Sequence, residues 1–337
     1  MYMVKPIILI TMGDPAGSSP EITLKALSNP EVQGIAKYVV IGDLRVLMKV
    51  REIVGARKLN LTVVNSPEEV GDELFNVGVI DLSNVDVEEL VYGRPSAVGG
   101  KASYEYIVTA VDLIRSGRGH ALVTAPISKE SLYLAGYNYP GHTELLAELA
   151  GVEVVKMMLV FKHLRVTHVT THVPLRKAVE LVKKDNVYVT IRLTHEALTK
   201  LFGIESPKIG VAGLNPHASE GGLFGDEEEK EVRPAIELAL REGIRVEGPY
   251  PPDTIFYRAY HDKEFDAVIA MYHDQGHIPV KMVGLLEGVN LTLGLPFIRT
   301  SPDHGTVWDK AGKGTAKETA MLEAIKLAVT LASKQLQ

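Results

Sequence analysis

Short, near-continuous β-branched runs recur along this chain, and most stop at Gly, Asp, Pro or His. They include Ile7–Thr11, Tyr38–Ile41, Ala121–Thr124, Lys208–Val211 and Ala267–Ala270. A strand that is apolar at nearly every position buries both of its faces, the condition of a parallel sheet covered by helices on either side. Helical periods lie between the runs. Ala102–Ile114 carries apolar residues at helical spacing and stops near Gly117. Met321, Ala324, Ile325 and Ala328 form an i, i+3, i+4, i+7 stripe. Such alternation predicts an α/β architecture with much parallel sheet.

The chain has 337 residues, enough for two domains or one large one. Residues 1–120 and 205–337 read as alternating units. The middle holds two strand-like runs, Met157–Phe161 and Arg165–Thr170, around Lys162–Leu164, which reads as a hairpin. We therefore expect two α/β domains with a discontinuous path: residues 1–125 plus 295–337 in one, 126–294 in the other. A ligand is expected in the cleft between them.

Several function classes are excluded. The net charge of -6 makes phosphate-backbone binding to nucleic acid a poor fit. The chain has no cysteine, which removes disulfides, thiolate nucleophiles and cysteine zinc sites and agrees with a cytoplasmic protein. No apolar run approaches the roughly 18 residues a membrane helix needs. The run Ile7–Met12 is too short for a signal-peptide core and meets Gly13-Asp14-Pro15.

Three of the eleven histidines follow apolar strands in turn-rich segments. His172 lies in Val169–Leu175, His217 in Ala212–Ala218 and His273 in Ala270–Gly276. Carboxyl ends of parallel strands line ligand crevices, and neutral imidazoles bind divalent metals. Three imidazoles there either converge on one metal or each cap a turn. His273 and His277 are four apart, but Gly276 and Pro279 argue against a continuing helix and a zincin-type site. His142 precedes an apolar run, with Thr143 resembling a helix N-cap. The plain role is structural; a helix N-terminus also suits a carboxylate or phosphate. Lys281, Asn290 and Arg299 suit a phosphorylated acid or are ordinary solvated residues, and Lys129 past a strand end is similar. Glycines in Asp303–Thr306 and Ala311–Thr315 permit close backbone approach to a ligand. Neither G-x-G-x-x-G nor G-x-x-x-x-G-K-[ST] is present.

Together these segments resemble the 4-hydroxythreonine-4-phosphate dehydrogenase (PdxA) family over the whole chain. The match rests on Thr11–Gly17, Thr124–Pro126, Gly141–Glu144, Thr171–Leu175, Asn215–His217, Pro252–Thr254, His273–Gly276 and Gly288–Thr300. The resemblance implies an isocitrate/isopropylmalate dehydrogenase-like fold of two α/β domains. The discontinuous domain would then be the cofactor side, and residues 126–294 the metal, substrate and dimerisation domain. It implies His172, His217 and His273 as ligands of one divalent ion (Zn, Mg, Co or Mn). His142, Thr143, Lys281, Asn290 and Arg299 would bind substrate, with Lys281, Asp253 and His142 catalytic. His304, Gly305 and Gly312 would contact NAD or NADP, because Asp303–Thr315 resembles the adenine-side loop of that fold. It further implies a homodimer with composite active sites, the third histidine coming from the partner subunit. The expected reaction is oxidation and decarboxylation of 4-phosphooxy-threonine in pyridoxal phosphate biosynthesis. Two departures stand out. Ser18-Ser19 replaces the usual Ile-Gly, and His277 is typically absent from biosynthetic members. The second points to a sister group acting on 4-phospho-threonate or 4-phospho-erythronate. A metal-dependent hydrolase or a non-catalytic phosphate-sugar sensor are the competing readings. The first needs no nicotinamide, and the second no metal histidines.

Overall fold

The computed structural model describes residues 5–337. They form two compact units, one from the chain up to Val155 together with Leu295–Gln337, the other from Lys156–Gly294. The first unit opens with β1 (Ile7–Thr11), α1 (Ser19–Leu27), β2 (Lys37–Gly42), α2 (Leu44–Ile53), β3 (Asn60–Val63) and β4 (Asn76–Asp81). It continues with α3 (Ala97–Arg115), β5 (Ala121–Thr124), α4 (Lys129–Leu134) and α5 (His142–Ala150). The second unit comprises β6 (Lys156–Phe161), β7 (Leu164–His168), α6 (Leu175–Leu181), α7 (Lys184–Lys200), β8 (Ile209–Ala212) and α8 (Arg233–Arg241). After these come β9 (Val246–Tyr250), α9 (Ile255–Tyr260), β10 (Ala267–Ala270), α10 (His273–Gly284) and β11 (Val289–Leu293). The chain then returns with β12 (Ile298–Pro302) and α11 (Thr319–Gln335). The units part at Val155, well past the residue-125 boundary read from sequence. The long helix α3 packs against both α4 and α5 and keeps them with the first unit.

In the first unit the strand order is β3-β4-β2-β1-β5-β12, all parallel. Ile8, Leu9 and Ile10 of β1 are completely buried, as expected of a strand covered on both faces. The loops after β1, β5 and β12 leave the same edge side by side, because those strands are parallel neighbours. In the second unit the order is β11-β6-β7-β10-β8-β9. β6 runs antiparallel to both of its neighbours, β11 and β7, and β7, β10, β8 and β9 run parallel. The expected hairpin is β6–β7, its Phe161↔Leu164 register leaving a two-residue loop whose Lys162 takes φ +53°. Among the described residues no helix is long and apolar enough to cross a membrane.

The segment after β10 corrects the sequence reading. His273–Gly284 is a helix, with Pro279 inside it. Its glycines serve packing rather than breakage. A Cβ on Gly276 would lie 2.3 Å from His168 Nε2, and one on Gly284 would lie 2.3 Å from the Phe161 ring. Without side chains at these positions the helix docks closely on β6 and β7. That tertiary packing outweighs the local cost of Gly and Pro.

Candidate active site

Parallel pairing of β7, β10 and β8 fixes the order of the histidine-bearing loops. His172 follows β7, His273 opens α10 directly after β10, and His217 follows β8, all at the carboxyl edge. Asp253 follows β9 in the next place along. The His172 and His273 rings lie 5.6 Å apart between centroids. His273 Nδ1 is 2.6 Å from Asp274 Oδ1. The carboxylate accepts a hydrogen bond from Nδ1–H, and a neutral ring so held keeps its lone pair on Nε2, the tautomer of a metal-ligating histidine backed by a carboxylate. This donor pair fits a divalent ion. Among the described residues of the chain, however, no group of three His, Asp or Glu is placed to hold one. His217 sits instead on the wall of a cavity of about 740 Å³, with Asp253, Tyr257, Tyr272, Asp274 and Met282. Its backbone is left-handed, as are the next three residues, Ala218, Ser219 and Glu220. Left-handed non-glycine residues each cost on the order of 1–3 kcal/mol and gather where surrounding structure over-determines them. Here the anchor is the buried Glu228, whose carboxylate accepts from the Asn215 backbone N–H and Nδ2 at 2.7 and 2.9 Å.

Lys281 lies half-buried on α10, and Asn290 is buried on β11 with its Oδ1 lacking a hydrogen-bond partner. Behind the histidines is a lysine the sequence reading passed over. Lys156 Nζ donates to the Val169 carbonyl (2.8 Å) and Asn186 Oδ1 (2.5 Å) at the root of the His172 loop, and burial pushes its amine down to about 8. His168, at the end of β7, is likewise buried, and burial pushes its ring down to about 3. An unfolded histidine keeps an ordinary value near 6.5, so between those limits the unfolded chain binds a proton that the fold refuses. The stability present above pH 6.5 is therefore expected to fall as pH drops toward 3. Urea titrations of metal-free protein across that range should show it. His168→Leu should flatten the slope, and an unchanged slope would clear His168 as its source.

The other expected residues belong to the first unit. Arg299, on β12, is 2% exposed, which disposes of the surface-solvation alternative. Its Nε and Nη2 donate to Thr124 Oγ1 at 3.1 and 2.5 Å, and burial lowers it to about 9, so it stays cationic at neutral pH. His142 opens α5, whose N-cap is Gly141; Thr143 falls in the first turn rather than at the cap. Burial, and then the Arg299 charge, hold the His142 imidazole neutral, and its buried Nε2 has no hydrogen-bond partner. Lys129 is exposed at the start of α4.

The loop carrying His304, Gly305 and Gly312 is tied to α1. Ser18 donates through its backbone N–H and its hydroxyl to the Thr306 carbonyl (3.0 and 2.8 Å), and Ser19 Oγ donates to the Pro126 carbonyl (2.6 Å). The Ser18-Ser19 departure thus anchors loops through hydroxyls. Glu21, fully buried, accepts from the Gly312 and Gly314 backbone N–H groups, and desolvation raises its carboxyl. Gly312 takes φ +76° with Tyr92 packed where a Cβ would be, while nothing lies within 4 Å of a Cβ on exposed Gly305. His304 Nδ1 donates to the Gly305 carbonyl at 2.9 Å. Gly305 thus leaves open space for the approach of a ligand, whereas Gly312 is occupied by Tyr92 and Glu21 of the fold itself. Asp14, buried after β1, has a raised carboxyl because it is desolvated, and its Oδ2 lacks a partner. Asp14, Glu21, Lys156 and His168 were not singled out from sequence. Their signal, a polar residue directly beside a strand or helix start, is too common to select them.

Strand-end imidazoles, a buried guanidinium and neutral histidine, and a glycine-bearing loop define an α/β ligand-binding enzyme. The chain belongs to the family described as "Pyridoxal phosphate biosynthetic protein PdxA", which residues 34–328 match. The D-threonate 4-phosphate dehydrogenase of Cupriavidus necator is 47% identical over 98% of each chain. The 4-hydroxythreonine-4-phosphate dehydrogenase of Trichlorobacter lovleyi is 46% identical over 99% of each. The crystal structure of the 4-hydroxythreonine-4-phosphate dehydrogenase from Klebsiella pneumoniae superposes with a TM-score of 0.90 at 41% identity, covering 99% of this chain and all of that one. The relatives are dehydrogenases, and the family makes the chain an oxidoreductase.

Proposed function

We propose that the chain is a divalent-metal-dependent, NAD(P)-dependent dehydrogenase that oxidises and decarboxylates a four-carbon acid phosphorylated at its far end. The substrate put first is 4-hydroxythreonine 4-phosphate, in pyridoxal phosphate biosynthesis in the cytoplasm. The observation that carries the reading is the file of His172, His273 and His217 on neighbouring parallel strand ends in a chain of this family. When bound, the metal would polarise the reacting alcohol and the nicotinamide would take the hydride. His172, His217 and His273 would hold the metal as neutral donors, and the His304, Gly305 and Gly312 loop would hold the nucleotide. Arg299, His142, Thr143, Lys281 and Asn290 would grip the anionic ends and fix the reacting carbon by position. The Asp253 carboxylate, on the cavity wall with His217, would accept the hydroxyl proton, and Lys281 Nζ would return one. A neutral His142 can meet the substrate as donor or acceptor without adding charge beside Arg299.

A homodimer with composite sites belongs to the same proposal. Exposed Ile278 and Met282 on α10 and Leu285 and Leu286 in the turn that follows it form an apolar stripe, with Met282 80% exposed. Such an apolar stripe suits a subunit contact. A second substrate reading, D-threonate or D-erythronate 4-phosphate, is favoured by the 47% identity to the Cupriavidus necator enzyme. Those acids carry a hydroxyl where the first substrate carries an amine. Steady-state assays with each compound, metal and NAD or NADP test the proposal. Turnover of the aminated acid at higher kcat/KM supports the first substrate, and the reverse order supports the second. Absence of reduced nicotinamide with every compound would refute the dehydrogenase reading.

A further inference from the structure

Behind His273 stands a second pair of imidazoles to which the reaction assigns no role. His168 directs Nδ1 at the Met157 carbonyl (3.3 Å), and its Nε2 meets Nδ1 of His277 at 3.1 Å. The same His277 nitrogen lies 3.0 Å from the His273 carbonyl. For neutral rings these contacts permit one arrangement of protons. A carbonyl only accepts, so His168 is protonated on Nδ1 and offers the Nε2 lone pair. His277 Nδ1 faces two acceptors and therefore carries its proton, shared between them. The His277 ring also stacks on the His273 ring, with centroids 3.6 Å apart and planes 13° apart.

The surroundings are built for this pair. Any side chain on Gly276 would collide with His168 Nε2, its Cβ coming within 2.3 Å. His277 is 4% exposed and His168 1%. Two apolar side chains would fill the same space without the cost of burying polar rings. What imidazoles add is direction: one hydrogen bond to the backbone of His273, one to β7, and a flat face against the His273 ring.

We infer that His168 and His277 are positioning residues that hold the His273 backbone and ring plane, so that Nε2 of His273 is presented in a single orientation to a divalent ion. The inference rests on His273 being a metal ligand and adds the support behind it. Outer partners of metal-ligating histidines are typically worth about 10–100-fold in metal affinity.

The test uses full-length His277→Leu, His168→Leu and the double variant, with His277→Asn and His273→Ala alongside. Co(II) affinity is read by visible absorption, and metal-free stability by calorimetry. His277→Leu is expected to lose metal-free stability, because it strands the buried His168 Nε2, and to weaken Co(II) binding about 10–100-fold. The double variant should regain stability, since both partners become apolar, yet keep the weakened Co(II) binding. His277→Asn, which restores an N–H near the Nδ1 position, should recover part of the affinity. A stable double variant that binds Co(II) like the wild type, while His273→Ala does not, would overturn the inference and leave the ligand reading intact. If His273→Ala itself binds Co(II) normally, the ligand reading falls and takes the inference with it.

Discussion

Alanine at His273 is expected to remove nearly all turnover and most metal affinity, and activity is expected to return when that variant is mixed with His217→Ala. The ring is fixed by the Asp274 carboxylate on Nδ1 and by the His277 face stacked against it. Truncation therefore removes a donor for which no neighbour substitutes. A catalytic metal supplies several kcal/mol at the transition state, and each 1.36 kcal/mol is tenfold in rate, so a loss of about a thousandfold or more is expected. The mixing experiment follows from the donor count. One chain brings the His172 and His273 rings near each other, but among its described residues it assembles no set of three ligands. If a partner's histidine completes each site, random re-pairing of the two inactive variants makes about half hybrids, each with one intact site, and restores about a quarter of wild-type activity. Mixtures that stay inactive, although hybrids form by mass, would place His217 and His273 of each site in one chain. Stoichiometric metal and near-normal rate in His172→Ala, His217→Ala and His273→Ala would remove the metal assignment altogether.

The strands were the legible part of the fold. β1, β5 and β10 coincide with the apolar runs residue for residue, because burial on both faces leaves no alternation to blur their ends. α10 was misread for a physical reason. Gly276 and Pro279 look like breakers when only neighbours in sequence are considered, yet Gly276, like Gly284, is a point where the helix presses on β7 or β6. The strand-end setting of His172, His217 and His273 was visible in the sequence, since it needs only a strand followed by a turn. The setting of His168 was not, and Arg299 stood open between binding an anion and being solvated. Both are polar residues inside short strands, and only the partners that packing brings alongside, His277 and Thr124, distinguish them from solvated side chains.

Loss of the Arg299 side chain is expected to lower kcat/KM on the phosphorylated substrate by about ten- to a hundredfold, a charge-assisted hydrogen bond being worth about 1.5–3 kcal/mol. The guanidinium is buried on β12, oriented by the Thr124 hydroxyl, and close enough to His142 for its charge to help keep that ring neutral. A buried cation held in one orientation is suited to a specific anionic group rather than to solvent. Which group it holds can be read by comparing each substrate with its dephosphorylated form. If Arg299 binds the phosphate, Arg299→Ala should hurt the phosphorylated compound far more than the other. If it binds the carboxylate, both should suffer alike. Lys281→Ala, measured on the same pair, assigns the second anionic group by the same comparison. Because truncating Arg299 also empties a packed position, Arg299→Met is the better-controlled variant: it retains most of the buried volume and none of the charge. A kcat/KM unchanged in Arg299→Met would show that the buried cation braces β12 against β5 through Thr124 and never meets the substrate.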